Sequence, residues 1–237
     1  MEMTFKDLIA RVKELNPTNS VMLSFSRGKD SWGCWCALRD HFDIRPFYYY
    51  NSPPGMRFKE HSFEVAEQKI GHKVIKVPSP LMNHLLCAKN LGYQPPHRCL
   101  ALFALNLPTF GYDVVQQTAI DAAGLPQGTY TALGVRACDS ARRALHFKTH
   151  GPITEAQLKF YPIWNWDKNK LVSELKRNGV ELPIDYKLFG RTFDGLHLLY
   201  LENVKKFFPN DFETILRYFP LVDMELYRYE KRKARGL

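Results

Sequence analysis

The sequence is poor in cysteine and in long apolar runs. Only five of its 237 residues are cysteine (Cys34, Cys36, Cys87, Cys99 and Cys138), an odd number with no CxxC spacing. That excludes a disulfide framework and speaks against a four-cysteine zinc or iron–sulfur site. A reducing, cytoplasmic setting is expected. No stretch approaches the roughly 18 consecutive apolar residues of a membrane helix. The N-terminal MEMTFKDLIARVKEL carries acids and has no apolar core, so no secretory signal is expected there. Internal repeats, low-complexity tracts and a clear linker are also missing. What remains is an ordinary globular composition, 45% hydrophobic and 24% charged, with a net charge of +9. The excess of base favours polyanionic partners, a nucleotide or a nucleic acid, and the basic tail MELYRYEKRKARGL fits either that or a solvated helix end.

Hydrophobic spacing orders the first eighty residues as alternating helices and strands. Phe5, Leu8, Ile9, Val12 and Leu15 share one helical face, with Thr4 and Asp7 as a start signal and Asn16-Pro17 as a stop. SVMLSF (20–25), IRPFYYY (44–50) and HKVIKV (72–77) are of strand length. Helices are expected over 30–41 and 57–70, the second ending at Gly71. Further helices are expected over 81–91 and 99–123, then a strand at TYTALGVR (129–136) and another at LKFYPI. Helices over 167–178 and 210–218 follow. Strands joined by helices of this length imply right-handed crossovers and a parallel sheet. The expected fold is a doubly wound α/β domain with a mostly parallel five-stranded sheet over residues 1–200. A C-terminal helical extension, 201–237, packs on the same domain.

The most informative segment is SVMLSFSRGKDSWGCWCALRDH (20–41), a buried strand that runs through Ser-Arg-Gly-Lys-Asp-Ser into a helix. A loop of small residues at a helix N-terminus aims several backbone N–H groups at one point, and the helix dipole adds partial positive charge. Ser24, Ser26 and Ser31 add hydroxyls, Lys29 adds a full charge, and Gly28 and Asp30 complete the turn. The segment is not a Walker loop, because the glycine required five residues before Gly28 is Leu23. In GVRACDSARRA (134–144), Arg136 and Arg143 stand where the end of a parallel strand opens onto a crevice, and both can fork onto phosphate or sulfate oxygens. Arg142 and Arg143 are adjacent, so one of them faces the site. Asp139-Ser140 also reads as a helix cap.

Ser26-Arg27-Gly28-Lys29-Asp30-Ser31 resembles the PP-loop of ATP pyrophosphatases, whose pattern is Ser-Gly-Gly-Lys-Asp-Ser; here Arg27 replaces the first glycine. Within that adenine nucleotide alpha hydrolase-like superfamily, residues 18–210 are similar to the phosphoadenosine-phosphosulfate reductase family. Asn51-Ser52 stands for the family's Asp-Thr, and Arg98-Cys99-Leu100 for its Arg-x-Cys-Thr. GVRACDSARRA stands for Gly-Ile-Arg-x-Asp-Glu-Ser-x-x-Arg, and YPIWNW (161–166) for Tyr-Pro-Ile-x-x-Trp. At GRTFDGLHLL (190–199) the family's arginine is Phe193 and its two cysteines are Leu196 and Leu199.

The resemblance implies a Rossmann-like fold that binds ATP or the sulfonucleotide PAPS. Ser24, Ser26, Arg27, Gly28, Lys29, Asp30, Ser31, Asn51, Gly134 and Arg136 are its binding set. Lys29, Asp30, Arg136 and Arg143 are its catalytic candidates. It implies attack on the α-phosphate, loss of pyrophosphate and an adenylated intermediate, with Mg²⁺ helping. The acceptor is a nucleic-acid base of DNA or tRNA, or a small metabolite. Leucines at 196 and 199 cannot ligate iron, so no iron–sulfur cluster is expected. The alternative of sulfonucleotide reduction needs a thiol. Cys99, beside His97 and Arg98, is the candidate, though a buried structural cysteine is the plainer reading. A non-catalytic nucleotide- or nucleic-acid-binding module is the third possibility. Arg27 either strengthens anion binding or blocks a glycine conformation. A homo-oligomer or a partner protein is compatible with the sequence, and a membrane association is not expected.

His146 and His150 share a helical face but precede Gly151-Pro152, so two exposed histidines are expected rather than a metal site. Tyr49 is expected to face away from Tyr48 and Tyr50, and Trp32 with Trp35, and Trp164 with Trp166 on one side of an extended segment, to pack in the core.

Overall fold

The computed structural model describes residues 3–50, 53–80, 93–106, 110–190 and 195–236. The chain begins with helix α1 (Phe5–Leu15), closed at its start by a reciprocal box. The Asp7 N–H donates to Thr4 Oγ1 at 3.3 Å, and the Thr4 N–H donates to the Asp7 carboxylate at 3.0 Å. Asn16 ends the helix and ties it down. Its amide donates to the Ser20 carbonyl at 2.8 Å and accepts from the Tyr130 N–H at 2.8 Å. The first three strands and their helices follow as β1 (Ser20–Ser24), α2 (Lys29–Leu38), β2 (Asp43–Tyr50), α3 (Arg57–Ile70) and β3 (Ile75–Pro78). Helix α3 ends, as expected, with Gly71 in the left-handed region (φ 86°).

The middle of the chain holds α4 (Pro96–Ala104), α5 (Tyr112–Ala122), β4 (Thr131–Ala132), a 3₁₀ turn (Ala137–Asp139) and α6 (Ala141–His150). The single helix expected over 99–123 is two. The first stops at Leu105 with Asn106 at φ 44°, and the second starts from Gly111 as its N-cap. The helix expected over 81–91 lies outside the described residues. Beyond come β5 (Ile153–Thr154), β6 (Lys159–Phe160), α7 (Lys168–Arg177), α8 (Ile184–Phe189), α9 (Leu198–Phe207), α10 (Pro209–Tyr218) and α11 (Val222–Ala234).

The sheet runs β3-β2-β1-β4-β6-β5. It has six strands rather than five: the pair β5 and β6 forms a short antiparallel edge, and every other pairing is parallel. Strand β5 is only Ile153 and Thr154, too short to show alternation in the sequence. Both faces are covered. Val21 and Leu23 of β1 pack with Leu8, Val12, Trp32, Phe63 and Leu171, and Met22 packs on the opposite face with Phe47, Val77, Val115 and Ala119. Tyr48 and Tyr50 lie on the first face and Tyr49 on the second, as expected for a strand.

The C-terminal helices build a core of their own from Leu201, Val204, Phe212, Ile215, Phe219 and Leu226, into which Met56 and Phe58 of the α3 start are drawn. Tyr93 and Leu196 also belong to that core. Among the described residues no helix is long and apolar enough to cross a membrane.

Candidate functional site

Strand β1 has β2 on one side and β4 on the other. The chain therefore leaves the sheet centre in both directions, and the loops beyond the C-terminal ends of β1 and β4 stand where open α/β sheets take their ligands. Two loops start there, 25–28 after β1 and 133–136 after β4.

The first loop enters α2 through Gly28, whose extended backbone (φ −77°, ψ 167°) makes it the N-cap; no side chain caps the helix. Glycine offers no capping oxygen, so the first N–H groups of α2 lack the partner that a serine or aspartate at that position supplies. Ser31 is buried and donates to the Gly28 carbonyl at 2.9 Å, while Ser26 Oγ accepts the Gly28 N–H at 3.4 Å. Ser24 ends β1 and is half-buried. The loop is thus folded on its own serines around the helix start.

Lys29 and Asp30 lie side by side, Nζ 2.6 Å from Oδ2. The other oxygen of Asp30 is 2.9 Å from Arg136 Nε, and Arg136 Nη2 is 2.8 Å from Asp139 Oδ1. The second oxygen of Asp139 takes Arg143 Nη1 at 2.9 Å. Lys29, Asp30, Arg136, Asp139 and Arg143 therefore form a chain of alternating charge that joins the two loops. Arg136 is its buried centre, with a side chain 6% exposed, and its Nη1 is buried without a hydrogen-bond partner among the described residues. Of the adjacent pair, Arg143 is the one that engages Asp139. Asp139-Ser140 caps as expected: Ser140 accepts the Arg143 N–H at 3.3 Å at the start of α6, and Asp139 accepts the Arg136 N–H at 3.3 Å at the 3₁₀ turn; the bridge from Asp139 to both arginine side chains is what the sequence did not show.

Two close approaches pack α2 against its neighbours. A β-carbon on Gly134 would meet the backbone of Asp30 at 2.8 Å, so the β4 loop lies directly on the start of α2. One on Gly33 would meet Leu171 Cδ1 at 2.5 Å, so α7 sits equally tightly on the same helix. YPIWNW completes the support. It is a succession of turns rather than an extended segment, with the Trp164 N–H bonded to the Tyr161 carbonyl and the Trp166 N–H to that of Ile163. Trp164 and Trp166 are buried in the main core, and the Trp164 carbonyl accepts the Ala137 N–H at 2.8 Å. Trp32 meets Phe25 and Trp35 edge-on at 5.0 and 5.6 Å, which is packing.

Arg27 is not where its sequence position suggested. Its backbone lies in the left-handed region (φ 65°), and its side chain turns into the interior. Nη2 lies 2.9 Å from Asp185 Oδ2, and Nη1 donates to Ser62 Oγ at 2.8 Å. Arg27 therefore neither adds a cation to the loop nor blocks its turn; a buried carboxylate claims the guanidinium. A cavity of about 170 Å³ lies against Arg27, Trp32, Ser62, Pro183 and Ile184, and the loop cations Lys29, Arg136 and Arg143 do not line it.

Other expected residues fall elsewhere. Cys99 is buried on α4, whose neighbouring Gln94 and Arg98 donate to the carbonyls of Tyr218 and Arg217 on α10. Cys34 and Cys36 are buried in α2, and desolvation pushes both thiols up, Cys36 to about 11. His146 and His150 stand ring to ring at 5.1 Å beside Tyr161. Among the described residues no three His, Cys, Asp or Glu side chains gather as a metal site. Asn51 lies outside the described residues.

The fold and these loops define a doubly wound α/β protein with a cluster of alternating charges at its topological switch point. No family model matches the chain, and no curated protein matches it. Among solved structures it is similar to the U34-tRNA thiolase NcsA from Methanococcus maripaludis, determined with its [4Fe-4S] cluster. That match has 12% identity over 92% of this chain and 78% of that one, with a TM-score of 0.48. It is also similar to the NH3-dependent NAD synthetase from Campylobacter jejuni subsp. jejuni in complex with the nitrate ion, with 14% identity over 99% and 97% and a TM-score of 0.39. At these scores the likeness carries no argument, and the architecture rests on the strand pairing itself.

Proposed function

We propose that the two loops bind an adenine nucleotide by its phosphates and that the protein cleaves ATP at the α-phosphate, releasing pyrophosphate and activating an acceptor. The observation that carries this reading is one juxtaposition. The N-terminus of α2 has no side-chain cap, and beside it lies Arg136, buried, with a guanidinium N–H left over. Unpaired helix N–H groups and a buried arginine fork are complementary to a polyphosphate. Gly28, Lys29 and Ser31 receive it from the first loop, and Arg136 and Arg143 from the second.

The same groups serve the chemistry. Charge builds on the departing pyrophosphate, and donors already fixed around it stabilise that charge without reorganising. Lys29 is the partly exposed ammonium of the set and is paired with Asp30. Asp30 is the carboxylate at the loop that would hold a Mg²⁺ ion carried on the phosphates, an ion that needs only one or two protein carboxylates and would neutralise phosphate charge. Leucine at 196 and 199 gives the reading no thiolates for an iron–sulfur cluster. Cys99, on α4 and bonded through its neighbours to α10, receives no role.

One observation favours a second reading, a nucleotide- or nucleic-acid-binding module without turnover: Lys29, Arg136 and Arg143 each already have a carboxylate partner. Pyrophosphate release from ATP and Mg²⁺, with and without DNA or tRNA, separates the two. Release that disappears in Lys29→Ala supports the enzyme, and stimulation by one nucleic acid points to the acceptor. Nucleotide binding without release supports the module.

A further inference from the structure

We propose that Arg27 and Asp185 form a tether that shapes the phosphate loop before any ligand arrives, which makes both of them positioning residues. The ligand assumed is that of the functional reading above. Three observations carry the inference.

First, Arg27 occupies φ 65°. Arginine is not among the residues that enter the left-handed region readily, so the surrounding structure must impose the conformation. Second, the side chain shows what imposes it. The guanidinium is 2% exposed and bonded to Asp185 Oδ2 at 2.9 Å and Ser62 Oγ at 2.8 Å, and it lies over the Phe63 ring at 5.5 Å. Ser62 is held in turn by its bond to the Lys59 carbonyl at 2.7 Å. Third, these partners come from two different helices, Ser62 from α3 and Asp185 from α8. A planar fork gripped from two helices fixes the Cα of Arg27, and with it the peptide that leads into Gly28 and the start of α2.

A glycine at position 27 would reach the same φ freely and would leave it as freely. The arginine trades that freedom for a fixed loop. A loop ordered in advance pays less conformational entropy when an anion binds, so the tether appears as affinity without touching the ligand.

The test uses the intact chain and the double variant Arg27→Asn/Asp185→Asn. Asparagine tolerates the left-handed region, and neither substitution leaves a buried charge alone. Hydrogen exchange without ligand is read on peptides covering residues 25–31, and calorimetry reads inorganic pyrophosphate and ATP. The expected result is loop exchange faster by about tenfold or more, unchanged exchange in α5 and α7, and pyrophosphate affinity weaker by about tenfold. Arg27→Lys keeps a charge for Asp185 but loses the fork; it serves if the double variant does not fold, and its exchange should fall between the two. Loop exchange equal to wild type overturns the tether, and so does faster exchange with unchanged affinity. If the wild type binds neither pyrophosphate nor ATP, the functional reading fails, and loop exchange alone then decides the tether.

Discussion

The backbone of Gly134 lies so close to that of Asp30 that a β-carbon at residue 134 would sit 2.8 Å from the Asp30 carbonyl carbon and 2.9 Å from its oxygen. Neither contact is with a flexible side chain, so nothing can swing aside. Gly134→Ala must push the β4 loop off α2 and draw Arg136 away from Asp30. Overpacking of this kind costs about 1–3 kcal/mol. Urea denaturation should show that loss, and nucleotide affinity should fall with it. A variant as stable as wild type would mean that the two loops are not locked together.

Arg136 joins two carboxylates with different nitrogens, Nε toward Asp30 and Nη2 toward Asp139. A lysine brings one ammonium and cannot span both. Arg136→Lys should therefore lose about tenfold or more in ATP affinity although the charge is kept. Calorimetry decides it, with Arg136→Met as the neutral reference. Wild-type affinity in Arg136→Lys would show that charge alone matters and that the fork geometry does not.

Much of this architecture was legible because its signals are local. Thr4 and Asp7 mark the start of α1, Gly71 marks the end of α3, and Ser-x-Gly-Lys-Asp-Ser marks the loop before α2. The position of Arg136 and Arg143 beyond β4 was legible as well, because they follow a strand pattern. The partners of these residues were not. Asp185, which takes the Arg27 side chain out of the loop, lies 158 residues further on. Only the fold brings it back, and no spacing rule reaches that far. Asp139 was legible as part of a cap, but its bridge to the Arg136 and Arg143 side chains was not. Strand β5 exists because Phe160 offers Ile153 an edge, not because Ile153 and Thr154 carry a pattern of their own.

Asp211 shows the same long reach in a helix cap. Its carboxylate accepts the Arg57 N–H at 2.7 Å and the Phe58 N–H at 3.2 Å, so α10 supplies the cap that Met56 at the start of α3 cannot. Removing a capping side chain costs about 0.5–2 kcal/mol, and here the freed N–H of Phe58 stays buried. Asp211→Ala should lower stability by about 2 kcal/mol, with Asp211→Asn between it and wild type. Denaturant midpoints check this. Equal midpoints for all three would mean that the α3 start finds another partner.

Lys59 gives the fold a pH dependence of definite sign. It is 4% exposed, and burial lowers its ammonium from the ordinary 10.5 to about 7, with repulsion from Arg27 adding to the effect. Asp185, Asp211 and Glu60 oppose that fall without cancelling it. Below about pH 7 both the folded and the unfolded chain carry the proton, and the folded state bears the full cost of a buried cation. Between about 7 and 10.5 the unfolded chain binds more protons than the folded one, so this residue makes stability rise with pH across that window. Lys59→Met removes the titrating group while keeping a long side chain in place. Denaturant midpoints at about pH 6.5 and about pH 9 should show the wild type gaining on Lys59→Met as pH rises. Two curves that stay parallel would mean that Lys59 keeps its proton throughout.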